Sequence, residues 1–247
     1  MSHIIVISEI GINHGGDINK AHALIEIAAE AGAEIIKFQT VNADEVYKKD
    51  DKYYSIFKQA EFNRKQWVEL KRHVESLKKG FLSTPGDLKS LELLVDIGVS
   101  AIKVASDSAD NIRFVNTVLK CGKWTIISMG HMKTVEEMIT LFNSYETYPQ
   151  TVMYCVSKYP TPPSEANLSN IMDWKIAIEG ENFKRTTIGY SDHVPGIVSA
   201  ITASALGAEF IEKHIKLTDH DIDAPVSLFG YEFKVMVDQI RIVEKLL

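Results

Sequence analysis

Ala101-Ile102-Lys103-Val104-Ala105-Ser106 is a short apolar run that ends in polar side chains, and the same design recurs along the chain. Ile35-Ile36-Lys37-Phe38-Gln39, Phe81-Leu82-Ser83-Thr84 and Thr125-Ile126-Ile127-Ser128 repeat it, as do Ile188-Gly189-Tyr190-Ser191-Asp192-His193 and Phe210-Ile211-Glu212-Lys213-His214. Buried strands that each finish in a polar group build an active site when all strand ends open on one face, which is the property of a parallel barrel. Strand candidates begin near Ile4, Glu34, Gly80, Ser100, Trp124, Thr151, Thr187 and Glu209. Between them lie segments of helical periodicity over 21–31, 67–77, 88–97, 135–142 and 197–206, with a last helix over 231–247. Eight strands alternating with helices predict an α/β fold of the (β/α)8 TIM barrel type, filling one domain over 1–247. An open doubly wound sheet is the competing architecture, and it usually has fewer strands.

One further feature agrees with a barrel, and two stretches read as its loops. Ala31-Gly32-Ala33, Ile97-Gly98-Val99 and Leu206-Gly207-Ala208 each separate a helix from the next strand, where a left-handed residue suits the helix end. The proline cluster Tyr159-Pro160-Thr161-Pro162-Pro163 reads as a rigid loop after the sixth strand. The charged and aromatic stretch 41–64 reads as an extended second βα loop that can hold a short helix.

The 247 residues are 45 % hydrophobic and 24 % charged, a globular composition. The net charge of -6 argues against nucleic acid as a partner, so an anionic ligand needs a local positive pocket. Only two cysteines occur, Cys121 and Cys155, which fits a reducing compartment without disulfides. The apolar start is only a few residues long, so neither a signal peptide nor a membrane span is expected and the reading is cytoplasmic.

Lys37 and Lys103 alternate with apolar neighbours and should point into the barrel mouth, and Lys213 also stands at a strand end. A buried lysine needs an anion. That anion is either a protein carboxylate such as Glu34, or a ligand phosphate or carboxylate cradled with Ser106, Ser128 and Thr84. Schiff-base chemistry is a third use for such a lysine. His193 and His214 end successive strands, which lie about 4.8 Å apart, so the two imidazoles can share a divalent ion such as manganese, iron, cobalt or zinc. Glu9 and Glu212 can face the cavity, either binding hydroxyls or water or neutralising the lysines. Asp192 reads as a turn cap and Asp223 as a loop carboxylate. His14 and His131 read as loop or substrate contacts. Asn13, Tyr159 and Tyr190 are weaker site candidates, and Cys155 reads as a small buried hydrophobe.

Ser8-Glu9-Ile10-Gly11-Ile12-Asn13-His14-Gly15-Gly16 and Ile36-Lys37-Phe38-Gln39-Thr40 resemble the first- and second-strand motifs of the sialic acid synthase (NeuB-like) family. Phe81-Leu82-Ser83-Thr84-Pro85, Lys103-Val104-Ala105-Ser106, Ser128-Met129-Gly130, Tyr159-Pro160-Thr161-Pro162, Tyr190-Ser191-Asp192-His193 and Ile211-Glu212-Lys213-His214 resemble its later motifs in order. The resemblance implies a transferase that condenses phosphoenolpyruvate with an N-acetylated aldose, such as N-acetylmannosamine, to a nine-carbon 2-keto-3-deoxy acid and phosphate. It implies that Lys37, Thr84, Lys103, Ser106, Ser128 and Ser191 hold phosphoenolpyruvate. Ser157, where some members carry asparagine, is placed with the phosphate contacts. It further implies that His193 and His214 bind manganese or magnesium, and that Glu9, Gln39, Tyr159, Glu212 and Asp223 serve the sugar and the attacking water.

Typical members carry a C-terminal antifreeze-like (SAF) domain that swaps across a dimer. This sequence is read as the barrel alone, so a homodimer or a separate SAF-domain polypeptide is the expected protein partner. A ligand- or partner-binding barrel that is inactive without that lid, and another metal-dependent phosphoenolpyruvate-condensing enzyme or aldolase, are the alternatives.

Overall fold

The computed structural model describes residues 3–180, 183 and 186–247. Eight parallel strands form the wall: β1 (Ile5–Gly11), β2 (Ile35–Thr40), β3 (Gly80–Pro85), β4 (Ala101–Val104), β5 (Trp124–Ser128), β6 (Thr151–Tyr154), β7 (Thr187–Asp192) and β8 (Phe210–Lys216). Their ladder runs β3-β2-β1-β8-β7-β6-β5-β4. β3 and β4 lie side by side, but among the described residues no ladder joins them, so the barrel is nearly closed. A short ninth strand, β9 (Ser227–Phe229), adds to β8 through His214↔Ser227 and Ile215↔Leu228.

The side-chain period of two along each strand separates two apolar regions. Ile7, Leu82, Ile126 and Met153 point inward and pack with Ile5, Ile35, Ala101 and Phe210 as the barrel's own core. Their neighbours Val6, Ile36, Phe81, Ile127, Val152 and Ile211 point outward into the larger core beneath the helices. Continuing the inward series toward the strand ends reaches Glu9, Lys37, Lys103, Ser128 and Glu212. The apolar layers therefore form the floor on which the polar rim stands.

The outer layer contains α1 (Ile18–Glu30), α2 (Ala43–Val46), α3 (Tyr54–Gln59), α4 (Arg64–Ser76), α5 (Leu88–Asp96), α6 (Ile112–Lys120), α7 (Val135–Phe142), α8 (Asn170–Gly180), α9 (Val198–Ala205) and α10 (Gly230–Leu246). Side chains fix several starts. Asp17 accepts from the amides of Asn19 (2.8 Å) and Lys20 (3.3 Å), and Asn63 with Gln66 forms a reciprocal capping box on α4. The three glycines that follow α1, α5 and α9 adopt left-handed backbone, with φ of 96° at Gly32, 74° at Gly98 and 97° at Gly207. Glycine takes this conformation without the Cβ clash that other residues meet.

Several expectations require correction. The stretch 41–64 carries two helices, α2 and α3, instead of one short helix in a long loop. α6 and α8 stand where no helix was read: α6 buries Phe114, Val115 and Val118 at helical spacing within only nine residues, and α8 mixes apolar and polar residues around its circumference. Glu34 does not serve the buried lysines; it pairs with Arg241 at 2.5 Å and with His3 at 3.2 Å on the opposite side of the fold. Lys213 lies inside β8 and not at its end, and it points outward to Asp192, away from the mouth. No helix among the described residues is long and apolar enough to cross a membrane.

Candidate active site

The strand ends enclose a polar chamber with an empty volume of about 350 Å³. Glu9, Lys37, Gln39, Thr84, Lys103, Ser106, Ser128, Tyr159, Ser191, His193, Glu212 and His214 all line it. Ser157 and Asp223 line a second, outer chamber that shares its mouth with the first. The fourteen residues that the resemblance assigns to the site are thus gathered at one rim, twelve in the inner chamber and two immediately outside, whereas the further candidates Asn13, His14, His131, Tyr190 and Lys213 line neither chamber.

Lys37 and Lys103 are each 3 % exposed, and Glu9 and Glu212 are 1 % and 3 % exposed. Lys103 Nζ donates to both oxygens of Glu212 at 2.9 Å. Lys37 Nζ lies 2.7 Å from Glu9 Oε2 and 3.5 Å from Glu212 Oε1. Ser191 Oγ completes the set by donating to Glu212 Oε1 at 2.9 Å. Burial opposes charge on Lys37, but Glu212 and Glu9 outweigh it and raise its pKa. For Lys103, burial wins and, with repulsion from Lys37, lowers the pKa despite Glu212. Glu212 is held in its ionised form: burial disfavours the charge, yet Lys103 and Lys37 more than compensate.

Two ammonium groups thus face two carboxylates, which corrects the expectation of a simply positive pocket. An anion entering the chamber binds by competing with Glu9 and Glu212 for the lysines. Both roles weighed for these carboxylates are compatible with that geometry.

Beside the lysines stands a hydroxyl cluster. Ser106 Oγ and Ser157 Oγ lie 2.7 Å apart, and the Gly130 amide donates to Ser106 Oγ at 2.8 Å. A Cβ on Gly130 would stand 2.7 Å from Cys155 Sγ and 2.8 Å from Ser106 Oγ, so only glycine lets the backbone amide approach this closely. Ser128 Oγ is buried without a well-formed hydrogen bond. Cys155 is buried too, and burial pushes its thiol up to about 11, so it is no nucleophile at neutral pH.

His193 and His214 meet across the rim with ring centroids 5.8 Å apart. His193 Nδ1 lies 2.9 Å from the Val156 carbonyl, which can only accept, so Nδ1 carries the proton and Nε2 keeps its lone pair. Burial first, then His214, pushes the His193 pKa down to about 3 and keeps the ring neutral. His214 Nδ1 is buried and lies 3.3 Å from Asp223 Oδ2 without the alignment of a hydrogen bond. Burial disfavours charge on Asp223, but His214 beside it lowers the pKa overall. Two neutral-capable imidazoles with an adjacent carboxylate, one ring fixed by a backbone carbonyl, make a donor set that fits a divalent first-row ion. Among the described residues no cluster of three or more His, Cys, Asp or Glu side chains is already gathered in metal-binding geometry, so further ligands would come from substrate or water.

Tyr159 lies over His193 with a centroid distance of 3.9 Å. Although 57 % of the residue is exposed, desolvation of its hydroxyl, reinforced by Cys155, Glu212 and Asp223, raises its pKa well above the ordinary value.

Sequence reasoning undervalued Asn13. Its Nδ2 donates to the Ile215 carbonyl at 2.8 Å and to Ser227 Oγ at 3.2 Å, and its Oδ1 accepts the Asp223 amide at 2.7 Å. Asn13 therefore fixes the loop that presents Asp223. It also missed the aromatic wall of the outer chamber, for which the aromatic content of 41–64 was the available signal. His131 sits outside both chambers and contacts Asp107 at 3.0 Å. Asp192 caps as expected, accepting the Val194 amide at 2.9 Å.

Comparison with known proteins agrees with this site. The NeuB family model matches residues 24–247. An uncharacterized protein of Methanocaldococcus jannaschii is 36 % identical over 98 % of this chain and 71 % of its own length. N,N'-diacetyllegionaminic acid synthase of Campylobacter jejuni is 33 % identical over 99 % of this chain and 78 % of its own. The solved N-acetylneuraminic acid (sialic acid) synthetase of Leptospira borgpetersenii superposes with a TM-score of 0.91 at 33 % identity, covering 99 % of this chain and 85 % of that one. With its strand-end motifs, its barrel and these relatives in agreement, the chain belongs to the NeuB family of sialic acid synthases.

Proposed function

We propose that this protein is a nonulosonic acid synthase that condenses phosphoenolpyruvate with an N-acetylated aldose, releasing phosphate and a nine-carbon 2-keto-3-deoxy acid. The observation that carries the reading is the convergence of Lys37, Lys103, Ser106 and Ser128 on one chamber, with Ser157 and the Gly130 amide held against Ser106 at its edge. Buried ammonium groups and hydroxyls in fixed positions suit a ligand that carries both a carboxylate and a phosphate.

In this reaction C3 of phosphoenolpyruvate attacks the aldehyde carbon of the open-chain sugar, and a carbon–carbon bond forms. Positive charge develops at C2, where a water oxygen adds. The C2–O bond to phosphate then breaks, phosphate leaves with the electron pair, and the keto group remains. Lys37 and Lys103 hold the anionic substrate and align it, so much of the catalysis is positioning. Glu212, ionised by its lysines, and Glu9 accept the two protons that the added water loses as its oxygen becomes the keto oxygen, while the former aldehyde oxygen gains one as a hydroxyl. Tyr159, kept protonated by burial, can donate to a sugar oxygen. His193 and His214 would hold the divalent ion, manganese or magnesium. Bound there, such an ion polarises the aldehyde oxygen.

Phosphate release from phosphoenolpyruvate, measured with a panel of N-acetylated hexoses and manganese, tests the reading. Release that requires both sugar and metal supports it. The lowered pKa of Lys103 favours one rival, in which the amine forms an imine. Borohydride trapping of a lysine–pyruvate adduct would establish that rival and refute the condensation.

A further inference from the structure

α1 and α4 follow β1 and β2, which are parallel neighbours, so the two helices run in the same direction and pack side by side. Their facing surfaces carry the same two residue types in opposite order. α1 has His22 and then Glu26, and α4 has Glu69 and then His73. A spacing of four puts each pair on one helix face. Parallel alignment then sets His22 beside Glu69 and Glu26 beside His73. His22 Nε2 lies 2.9 Å from Glu69 Oε1, and His73 Nε2 lies 2.6 Å from Glu26 Oε1. The remaining ring nitrogens meet across the helix contact: His22 Nδ1 and His73 Nδ1 are 2.6 Å apart, with ring centroids at 4.7 Å.

The carboxylates determine where the lone pairs point. An ionised carboxylate can only accept, so each Nε2 carries a proton and donates it. Both Nδ1 atoms then turn a lone pair toward the same point. Two lone pairs at this distance repel unless a cation lies between them. A shared proton meets that need at 2.6 Å. A metal ion meets it after a small movement: with bonds of about 2.0–2.1 Å, a tetrahedral ion holds two nitrogens about 3.3 Å apart, so the rings separate by about 0.7 Å. The His22 and His73 side chains are 29 % and 20 % exposed, so solvent ions reach them and the rings have room to turn. A carboxylate on the second ring nitrogen is also the usual partner that orients a metal-bound histidine.

We propose that His22 and His73 form a metal site in the helix layer, separate from the rim pair His193 and His214, that takes a late first-row divalent ion such as zinc through both Nδ1 atoms. Glu26 and Glu69 hold the rings and offset the charge of the ion, and water fills its remaining positions. Two imidazole nitrogens suit zinc, nickel or copper, whereas manganese and magnesium favour oxygen donors. The bound ion joins α1 to α4 and so ties the first β/α unit to the second. The proposal is independent of the condensation reading, because none of these four residues lines either chamber.

Calorimetric titration of the full chain with zinc tests it, read as the number of ions bound per chain. His73→Ala should bind one zinc fewer than the unaltered protein, whatever the rim retains, and His22→Ala should do the same. Glu26→Ala keeps both imidazoles and should weaken that binding event about 10- to 100-fold. Manganese affinity at the rim should stay the same in all three variants. In crystals grown with zinc, an anomalous peak should stand between the two Nδ1 atoms. An unchanged zinc count in both histidine variants overturns the proposal and leaves the four side chains as a proton-bridged helix contact. Anomalous density at the rim alone overturns it as well, as does a parallel loss of manganese, which would mean that the variants act through the rim. Unmoved zinc affinity in Glu26→Ala removes the orienting role given to the carboxylates.

Discussion

Asp192 and Lys213 are register partners on neighbouring strands and form an ion pair of 3.0 Å from which solvent is wholly excluded. Each lies between two site residues in sequence: Ser191 and His193 flank the one, Glu212 and His214 the other. Asp192 also accepts from Ser199 Oγ at 2.7 Å and Tyr190 Oη at 3.1 Å, and Lys213 Nζ donates to the Val194 carbonyl as well. The outward-facing pair thus clamps β7 to β8 at the point where their inward-facing neighbours form the rim. Removing one partner strands the other charge in the interior. Lys213→Met should cost about 3–5 kcal/mol in urea unfolding, and Asp192→Asn combined with Lys213→Met should recover a large part of that loss. A cost below about 1 kcal/mol for the single variant would mean that the pair is not the clamp described.

Glu212 contacts both lysines, at 2.9 Å from Lys103 Nζ and 3.5 Å from Lys37 Nζ, so its charge should separate binding from turnover. Glu212→Gln should tighten phosphoenolpyruvate binding about tenfold, since 1.4 kcal/mol of competition is a modest share of such a contact. Turnover should fall about 100-fold through loss of a proton acceptor. Calorimetry and steady-state kinetics on the same preparation check both numbers. Weaker binding in the variant would show that the carboxylate assists the ligand instead of competing with it.

His14 gives a pH signature outside the rim. It stacks on Phe62 with centroids 4.5 Å apart and accepts the Gly16 amide on Nδ1 at 3.1 Å. Burial, and then the charge of Lys20, push its pKa from 6.5 down to about 4. The folded protein therefore takes up this proton less readily than the unfolded chain. The stability it contributes is present above pH 6.5 and is lost as pH falls through the window from 6.5 to 4. The loss is on the order of 3 kcal/mol from this group. His14→Asn, which keeps an acceptor for Gly16, should show a correspondingly flatter stability profile across that window. Parallel profiles would contradict the assignment.

The imidazole pair predicts a metal dependence readable without turnover. Calorimetric titration with manganese should give a binding heat that His214→Ala lowers at least tenfold in affinity, with the near-ultraviolet circular dichroism unchanged. Equal manganese affinity in the variant would remove His214 from the ligand set.

The wall of the barrel and its polar rim were legible because a single rule, alternation along buried strands, determines both. Once Ile7 and Leu82 face inward, Glu9 and Thr84 must do so as well. The same rule turns Lys213 outward, although in sequence it too follows a short apolar run, as Lys37 and Lys103 do. Side-chain pairing was less legible. Glu34 and Glu212 are equally plausible partners for a buried lysine by sequence, and only the fold places one at the rim and the other beside Arg241. The role of Asn13 depends on contacts to Ile215 and Asp223, which lie 202 and 210 residues away along the chain. The outer wall depends on how α2 and α3 fold back over the mouth, which local periodicity does not encode.

The position of phosphoenolpyruvate bound to the crystalline protein tests the central claim most directly. Its carboxylate and phosphate are predicted to lie within hydrogen-bond distance of Lys37 and Lys103, with the phosphate also reaching the Ser106–Ser157–Gly130 cluster. Electron density for the ligand in the outer chamber or elsewhere, with both lysines still bound to Glu9 and Glu212, would contradict it.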